Sequence, residues 1–415
     1  MVSARDKILL AKNASASLGL ASSNAKNAVL AQVAALLSAR SSEILAANKI
    51  DLARAVETGM TTSLQDRLRL TEERIQDIAE ATSKIISLPD PIGDVVRGMT
   101  LANGLRLTQV RVSLGVIGVI YEARPNVTID IAALAIKSGN AVVLRGGSAA
   151  ENTNSVLVRL LQDALEIAGI NRDAVQTVDK FGRDGAVVMM QAVGLIDVLI
   201  PRGGAGLIQQ VIQEAKVPVI QTGDGVVHVF IDETANLEWA TDIVHNAKVQ
   251  RPSVCNAVET LLVHKSAAQK ILPTVIARLV ADGVTIHGDS ATQALYDGAV
   301  AATEEDWAAE YHELDLAVKI VDDIDEALAH IAKYSTKHTE AIITEDLQNA
   351  ERFLSEVDAA VVMVNSSTRF TDGGEFGFGA EVGISTQKLH ARGPMGLPEL
   401  TSTKWLVRGA GHIRS

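Results

Sequence analysis

The strongest constraint on the fold is a strand–helix–strand succession near the middle of the N-terminal half. Leu114–Ile120 is an uninterrupted aliphatic run, which predicts a buried strand. A polar loop (121–130) and a helix follow, and Ala141–Leu144 predicts a second buried strand. Parallel strands joined by a helix form a βαβ crossover. Ligands of such sheets bind beyond the carboxyl ends of the strands, where loops 121–130 and 145–148 are expected.

The same alternation of aliphatic runs and helical segments continues along most of the chain. A composition of 47% hydrophobic but only 3% aromatic residues suits parallel sheets that are covered by helices. At 415 residues we expect two or three domains. The predicted helices are 151–168, 184–192, 266–280, 291–302, 324–333 and 346–355, and the predicted strands are 174–178, 196–200, 218–220, 226–231, 258–263, 284–286, 317–321, 341–343, 360–364 and 401–407.

Two segments differ from this alternation. Residues 1–90 are rich in Ala, Leu, Lys and Glu at helical spacing and predict packed helices. Residues 94–113 alternate apolar and polar side chains between glycines, which predicts an exposed hairpin. Exposed edge strands usually meet a partner, so we expect this hairpin to contribute to a homo-oligomer, a dimer or a tetramer.

The overall charge excludes some classes of partner. A net charge of −12 and a pI near 5.3 argue against nucleic acid and acidic membrane surfaces. No apolar run reaches the ~18–20 residues of a membrane span, and the N-terminus lacks the apolar core of a signal peptide. The single cysteine favours a reducing, cytoplasmic compartment. No metal site is expected, because the nine histidines are scattered and no second thiol exists.

The single cysteine, Cys255, has two interpretations. Most isolated cysteines are small buried hydrophobes. The alternative is a nucleophilic thiolate, and the context favours it. Pro252 and Ser253 punctuate the chain just before the cysteine, which predicts an exposed turn. Arg251 lies four residues upstream and could stabilise negative charge on the thiolate or on a substrate.

Three further stretches predict ligand contacts. Arg145-Gly146-Gly147-Ser148 follows a strand and offers backbone N–H groups and a guanidinium to a phosphate. Pro201–Gly206 also joins a strand to a helix, although it departs from the G-x-G-x-x-G fingerprint. The long stretch 365–396 is rich in Gly, Ser, Thr and basic residues, which is typical of a ligand-facing loop rather than of a solvated connection.

These stretches together resemble the aldehyde dehydrogenase superfamily. The resemblance rests on Tyr121–Thr128, Arg251–Ala257, the segment from Val321 to Ile342, and Ser366 through Gly396, and it covers nearly the whole chain. It implies an α/β fold with two Rossmann-type α/β domains and a small β oligomerisation extension. The implied divisions are a cofactor-binding domain (1–93 and 114–227), a catalytic domain (228–395), and the hairpin with a C-terminal strand (94–113 and 396–415).

The resemblance is strongest to the branch that reduces L-glutamate 5-phosphate to L-glutamate 5-semialdehyde and phosphate with NADPH, in proline biosynthesis. It implies that Cys255 attacks the acyl carbon and carries a thioester, and that Asn126 stabilises the oxyanion. The implied cofactor contacts, for NADPH/NADP, are Arg145, Gly146, Gly147, Ser148, Gly203, Gly204 and Glu313. The substrate has a phosphate and an α-carboxylate, which arginines recognise well; the candidates are Arg124, Arg251, Arg369 and Arg392.

The sequence alone leaves several alternatives for the site and the function. Gln221 stands where hydrolytic aldehyde dehydrogenases carry a glutamate base, and an amide cannot activate water; a small gap would place Asp224 there instead. NADP versus NAD, and which arginine meets which end of the substrate, are also open. Competing functions are a hydrolytic or coenzyme-A-acylating aldehyde dehydrogenase, and a nucleotide-binding scaffold in which Cys255 is structural. Functional coupling to glutamate 5-kinase is a further expectation.

Overall fold

The structure is a computed structural model that describes residues 2–414. Its contacts divide the chain into two compact units. The first unit contains residues 2–221, 377–383 and 395–414, and the second contains residues 222–376 and 384–394. The domain boundary expected from the sequence lay between 227 and 228, six residues later than the boundary between the units. The functions assigned to the domains stay predictions.

The helices and strands alternate along most of the chain. They are α1 (Ala4–Gly19), α2 (Ser23–Ala39), α3 (Ser41–Glu57), α4 (Thr62–Leu68), α5 (Glu72–Ser87), β1 (Val95–Thr100), β2 (Arg106–Ser113), β3 (Val116–Tyr121), α6 (Pro125–Lys137), β4 (Ala141–Arg145), α7 (Glu151–Ile167), β5 (Val175–Thr177), α8 (Gly182–Met190), β6 (Val198–Arg202), α9 (Ala205–Glu214), β7 (Val227–Ile231), α10 (Leu237–Val249), β8 (Val258–His264), α11 (Lys265–Ala281), β9 (Thr285–Gly288), α12 (Ser290–Leu295), β10 (Val300–Ala301), β11 (Asp315–Val321), α13 (Ile324–Tyr334), β12 (Thr339–Ile343), α14 (Leu347–Glu356), β13 (Val361–Val364), β14 (Ile384–Ser385), β15 (Gly393–Pro394) and β16 (Thr401–Arg408).

The N-terminal helices form as the helical spacing predicts. Side-chain caps begin several of them: Ser3 caps α1 in a capping box with Asp6, and Thr71 caps α5. A cap satisfies an amide that the first helical turn leaves unpaired. Helix α5 buries one stripe, which contains Ile75, Ile78 and Ile85. Burial of such a stripe is the main source of stability for an amphipathic helix.

A four-stranded parallel sheet in the order β5-β4-β3-β6 forms the centre of the first unit. Every residue of β3 is buried, and α6 connects β3 to its parallel neighbour β4. The predicted βαβ crossover is therefore confirmed. Because β4, β3 and β6 are adjacent and parallel, the loops that follow their carboxyl ends lie at one edge of the sheet.

The predicted hairpin and closing strand are also confirmed. Strands β1, β2 and β16 form an antiparallel sheet with β2 in the middle. All six residues of β1 are exposed, and Met99, Trp405 and Val407 present apolar surface. The expected contribution of this sheet to an oligomer stays a prediction.

The second unit contains a seven-stranded parallel sheet in the order β10-β9-β11-β8-β7-β12-β13. Strands β8, β7 and β12 are consecutive interior strands of this sheet and are completely buried. The apolar side chains of α10 and α11 pack on this sheet in one continuous core. Burial on both faces explains why these strands are rich in aliphatic residues.

Two predicted elements are wrong. Residues 218–220 do not form a strand; Val219 makes only an isolated parallel bridge to Leu199. The predicted helix 291–302 ends at Leu295, because Tyr296 is extended, a turn follows, and Val300–Ala301 forms β10. Short apolar runs are ambiguous between helix and strand, and here pairing with β9 decides the outcome.

Within residues 2–414 no single helix is long and apolar enough to span a membrane. The bent pair Ser23–Ala39 and Ser41–Glu57, at 69° to each other, reaches the required length and composition only when the two helices are taken together.

Candidate active site

Cys255 lies in a tight loop between α10 and β8. The loop closes through a hydrogen bond from the amide of Ala257 to the carbonyl of Val254 (3.0 Å), and the cysteine is half-buried. The loop therefore lies at the amino end of β8. Sheets of this kind more often bind ligands at the carboxyl ends of their strands. The predicted turn at Pro252–Ser253 is confirmed, since residues 252–253 form a turn.

Gly225, just before β7, packs directly against the cysteine loop. A Cβ on this glycine would overlap the backbone of Cys255. The amide of Gly225 donates to Oε1 of Glu310 at 2.8 Å, and Oε2 of Glu310 lies 3.3 Å from Nε2 of His312. Glu310 thus fixes the glycine that supports the cysteine loop.

Asp224 lies beside this glutamate. Burial raises the pKa of Asp224, the negative charge of Glu310 raises it further, and His312 opposes the shift. A carboxyl with a raised pKa is easier to use as a proton carrier near neutral pH.

A buried ion pair lies deeper in the second unit. Nζ of Lys248 and Oε2 of Glu259 are 2.6 Å apart, and both side chains are fully buried. Burial raises the pKa of Glu259 to about 7, although the Lys248 charge opposes this, and burial lowers the pKa of Lys248. Glu313, a predicted cofactor contact, is exposed two residues before β11, and its charge acts on Lys248.

Asn256, the residue after the cysteine, joins the cysteine loop to the stretch 365–396. It is only 4% exposed. Its Nδ2 donates to the carbonyl of Thr371 at 2.8 Å, its Oδ1 accepts from Nη1 of Arg369, and its carbonyl accepts from the hydroxyl of Thr368 at 2.8 Å. The ligand-facing loop expected from composition is therefore bound to the residue adjacent to the thiol.

The predicted substrate-binding arginines of the second unit have different surroundings. Burial lowers the pKa of Arg369, as does the positive charge of Arg251, whereas negative charge on Cys255 raises it. Arg369 and Arg251 therefore lie in one electrostatic neighbourhood with the thiol. Arg392 instead donates to Asp358 at 2.8 Å, a carboxylate that it shares with Lys337 and Lys388.

In the first unit, the loop after β3 leads into α6. Arg124 is the exposed residue before the helix, and Asn126 is in its first turn. Nδ2 of Asn126 donates to Oδ2 of Asp130 at 3.0 Å. Burial raises the pKa of Asp130 to about 6, against the opposing effects of Asn126 and Arg202. Asp130 thus fixes the orientation of the predicted oxyanion donor.

Hydrogen bonds to neighbouring segments hold the glycine-rich loop after β4 in place. The amide of Gly146 donates to Asp179 at 2.8 Å, so this N–H serves the protein itself. A Cβ on Gly147 would lie 2.9 Å from the amide of Ala123, which places the loop against the segment after β3. Nε of Arg145 donates to the carbonyl of Gly182 at 3.4 Å, and the Ser148 carbonyl accepts from Arg54.

The turn after β6 lies at the same edge of the sheet. Gly204 precedes the first turn of α9, and its amide donates to Oε1 of Glu122 at 2.8 Å. A Cβ on Gly203 would lie 2.7 Å from the carboxyl carbon of Glu122. The loops 145–148 and 201–206 therefore both pack against the loop 121–130. The roles of Gly203 and Gly204 toward a cofactor stay predictions.

Several residues of these networks were not singled out from the sequence: Glu122, Asp130, Asp179, Asn256 and Glu310. Two of them offered a signal. Glu122 stands in the polar loop directly after a buried strand, and Asn256 is a polar residue directly after the candidate nucleophile. Within residues 2–414, no group of three His, Cys, Asp or Glu side chains is arranged to hold a metal ion.

Comparison with known proteins places this fold in a family. The family model described as "Aldehyde dehydrogenase family" matches residues 3–305. The crystal structure of a γ-glutamyl phosphate reductase from Thermotoga maritima superposes with a TM-score of 0.98 at 46% sequence identity, and the match covers 100% of both chains.

Curated relatives agree with this assignment. A γ-glutamyl phosphate reductase from Leifsonia xyli subsp. xyli is 62% identical over 410 residues, which is 99% of this chain and 97% of the relative. One from Thermobifida fusca is 58% identical over 97% of both chains. The chain is therefore an oxidoreductase that belongs to the aldehyde dehydrogenase family and, within it, to the γ-glutamyl phosphate reductases. The predicted fold class is confirmed, and the family uses a nicotinamide cofactor.

Proposed function

We propose that this protein reduces L-glutamate 5-phosphate to L-glutamate 5-semialdehyde and phosphate with NADPH, as a step of proline biosynthesis. The observation that carries the proposal is the surroundings of Cys255. A half-buried thiol on a tight loop shares its neighbourhood with two guanidiniums, Arg251 and Arg369. Guanidinium groups favour a thiolate and recognise phosphate, so they suit an acyl phosphate substrate.

The chemistry follows from the thiolate. Sγ of Cys255 attacks the acyl carbon of the substrate, the C–O bond to phosphate breaks, and phosphate leaves with the bonding electrons. The product is a thioester on Cys255. Because an acyl phosphate is already activated, its leaving group needs little protonation. The Asn126 amide stabilises the oxyanion of this step, and such a donor is worth ~10²–10³ in rate.

The carboxyl edge of the four-stranded sheet is the proposed position of the cofactor. Its residues fit a dinucleotide with an additional phosphate: Arg145 is held there by a main-chain carbonyl, and Ser148 and the first turn of α9 lie at the same edge. When bound, NADPH supplies the hydride that reduces the thioester. Cys255 then leaves as the thiolate when the tetrahedral carbon collapses to the aldehyde, which regenerates the free enzyme.

Phosphate dependence provides the decisive assay. The purified protein should oxidise NADPH only when γ-glutamyl phosphate is present, and should reduce NADP with glutamate semialdehyde only when inorganic phosphate is added. Formation of glutamate without phosphate would identify a hydrolytic enzyme, and a requirement for coenzyme A would identify an acylating one. NADP and NAD are compared in the same assay. A cytoplasmic location, a homo-oligomer and coupling to glutamate 5-kinase belong to this proposal.

A further inference from the structure

Arg369 is held in an unusual way for an arginine of the second unit. Arg278, Arg352 and Arg392 each donate to a carboxylate. Arg369 instead donates through Nη1 to the amide oxygen of Asn256, and through Nε to the amide oxygen of Gln250 at 2.9 Å. Neutral acceptors restrain a guanidinium without cancelling its charge, whereas a carboxylate would neutralise it.

The orientation of the Asn256 amide is determined by the contacts of its nitrogen. Nδ2 points at two carbonyl oxygens, those of Thr371 (2.8 Å) and Arg369 (3.4 Å). A carbonyl oxygen only accepts hydrogen bonds, so the amide nitrogen must face these groups and the oxygen must face the guanidinium. The buried side chain can therefore receive Arg369 in one arrangement only.

This arrangement couples the guanidinium to the nucleophile. Asn256 follows Cys255 directly, so Nη1 of Arg369 contacts the residue next to the thiol. The charged groups that act on Arg369 are Arg251, Asp372, Cys255 and Glu375. Gln250 lies at the end of α10, on the other side of the same loop. The two amides thus hold Arg369 from both ends of the segment 250–256.

We propose that Asn256 and Gln250 are positioning residues that hold Arg369 as the guanidinium for the phosphate group of the substrate. This inference rests on the proposed function and deepens it, because it assigns the phosphate, rather than the α-carboxylate, to Arg369. The same charge favours the Cys255 thiolate before the substrate binds. As phosphate leaves, the guanidinium offsets the negative charge that collects on the departing oxygen.

Gln250→Glu is the most informative substitution, because Gln250 is exposed and the two side chains have the same shape. The new carboxylate should pair with Arg369 and neutralise it. We expect KM for γ-glutamyl phosphate to rise on the order of tenfold, since a charge-assisted contact is weakened. The apparent pKa of Cys255, measured by the pH dependence of iodoacetamide alkylation, should rise because the thiolate loses positive charge nearby. Gln250→Met is the matched neutral control and should give smaller changes in both measurements.

A double-mutant cycle separates positioning from a general structural role. In an Arg369→Ala background, Gln250→Glu should lose most of its effect on KM. Asn256→Ser should raise KM in the wild-type background and have little further effect in the Arg369→Ala background. Gln348→Glu makes the same chemical change at an exposed residue of α14, and it should leave KM within about twofold of the wild-type value and the alkylation pKa unchanged.

The results overturn the inference if Gln250→Glu acts equally with and without Arg369, or if neither KM nor the alkylation pKa changes. Thermal unfolding of each variant shows whether a loss of activity comes from a loss of structure, and the exposed Gln250 makes the test independent of Asn256 variants that fail to fold. Failure of the proposed function has a different signature, namely no turnover of γ-glutamyl phosphate by the wild-type protein.

Discussion

Gly225 and Cys255 are in direct backbone contact, and the space between them is too small for a methyl group. The glycine is anchored by its hydrogen bond to Glu310, so neither segment can move aside without loss of a contact. Close backbone approach is a situation in which only glycine fits. The position of the thiol thus depends on a residue thirty positions earlier in the chain.

Gly225→Ala should displace the cysteine loop. We expect kcat to fall on the order of 10²-fold, because a misplacement of about 1 Å at a reacting group has an effect of this size. Steady-state kinetics and thermal unfolding measure the two consequences. Gly98→Ala is the matched control: Gly98 lies in the exposed strand β1, where its Cβ would make only an ordinary contact, 3.5 Å from the carbonyl oxygen of Leu107, so alanine should leave activity unchanged and raise stability by about 0.4–1 kcal/mol.

Cys255→Ser should abolish turnover, because a serine hydroxyl is far less ionised than a thiol near neutral pH and is therefore a much weaker nucleophile. Binding of NADPH, followed by fluorescence, should stay near the wild-type value, since the proposed cofactor edge belongs to the four-stranded sheet. A serine variant with wild-type rates would contradict the thioester mechanism.

Asn126→Ala should reduce kcat by ~10²–10³ while KM changes little, as expected for loss of a donor that acts on the oxyanion. The comparison variant is Asn154→Ala, another amide in this unit, whose side chain binds Asp179 and Thr128 rather than Asp130. Its effect should appear mainly in thermal stability. Equal losses of kcat in the two variants would argue against a role for Asn126 in the chemical step.

Asp130→Asn tests the raised pKa of this carboxyl. The folded pKa of about 6 exceeds the ordinary aspartate value of 3.8, so the folded state binds more protons between these values and stability falls as pH rises through this window. An asparagine removes that loss. The variant should match wild type near pH 4 and be more stable near pH 7.5, as measured by thermal unfolding. A constant difference at all pH values would show that the carboxyl does not titrate this way.

Lys248→Met should destabilise the second unit by about 3–5 kcal/mol at pH 8, since it leaves Glu259 buried without its counter-ion. The pKa of Glu259 is already raised by burial and should rise further. At lower pH the carboxyl is protonated in the folded protein, so the deficit should shrink as pH falls toward 5. The double variant Lys248→Met with Glu259→Leu should recover most of the stability, which denaturant unfolding can measure.

The fold was largely predictable because its signals are local. Buried parallel strands such as β3 and β4 are almost entirely apolar runs, and the capped helices carry their own start signals at Ser3 and Thr71. The wrong prediction of a helix over residues 291–302 also has a local cause. A short apolar segment had no local feature that separates a longer helix from a short helix followed by an edge strand.

The contacts of the candidate site were less predictable, because they join distant residues. Glu310 reaches Gly225 across 85 positions, Glu122 reaches Gly204 across 82, and Asn256 contacts Arg369 across 113. Periodicity describes neighbours within a few turns and contains no information on such pairs. Composition indicated that residues 365–396 face a ligand, but only the fold shows that this stretch is bound to the residue after Cys255.

The antiparallel sheet of the first unit has a consequence for synthesis on the ribosome. Strand β2 pairs with β16, and Gln109 and Thr403 on these strands are 294 positions apart. At ~5–20 residues per second, translation needs about 15–60 s to produce the second strand after the first. During this interval one edge of β2 has backbone groups without their final partners, and such an edge is a template for aggregation. The nascent chain should therefore depend on chaperones until residues 401–408 emerge.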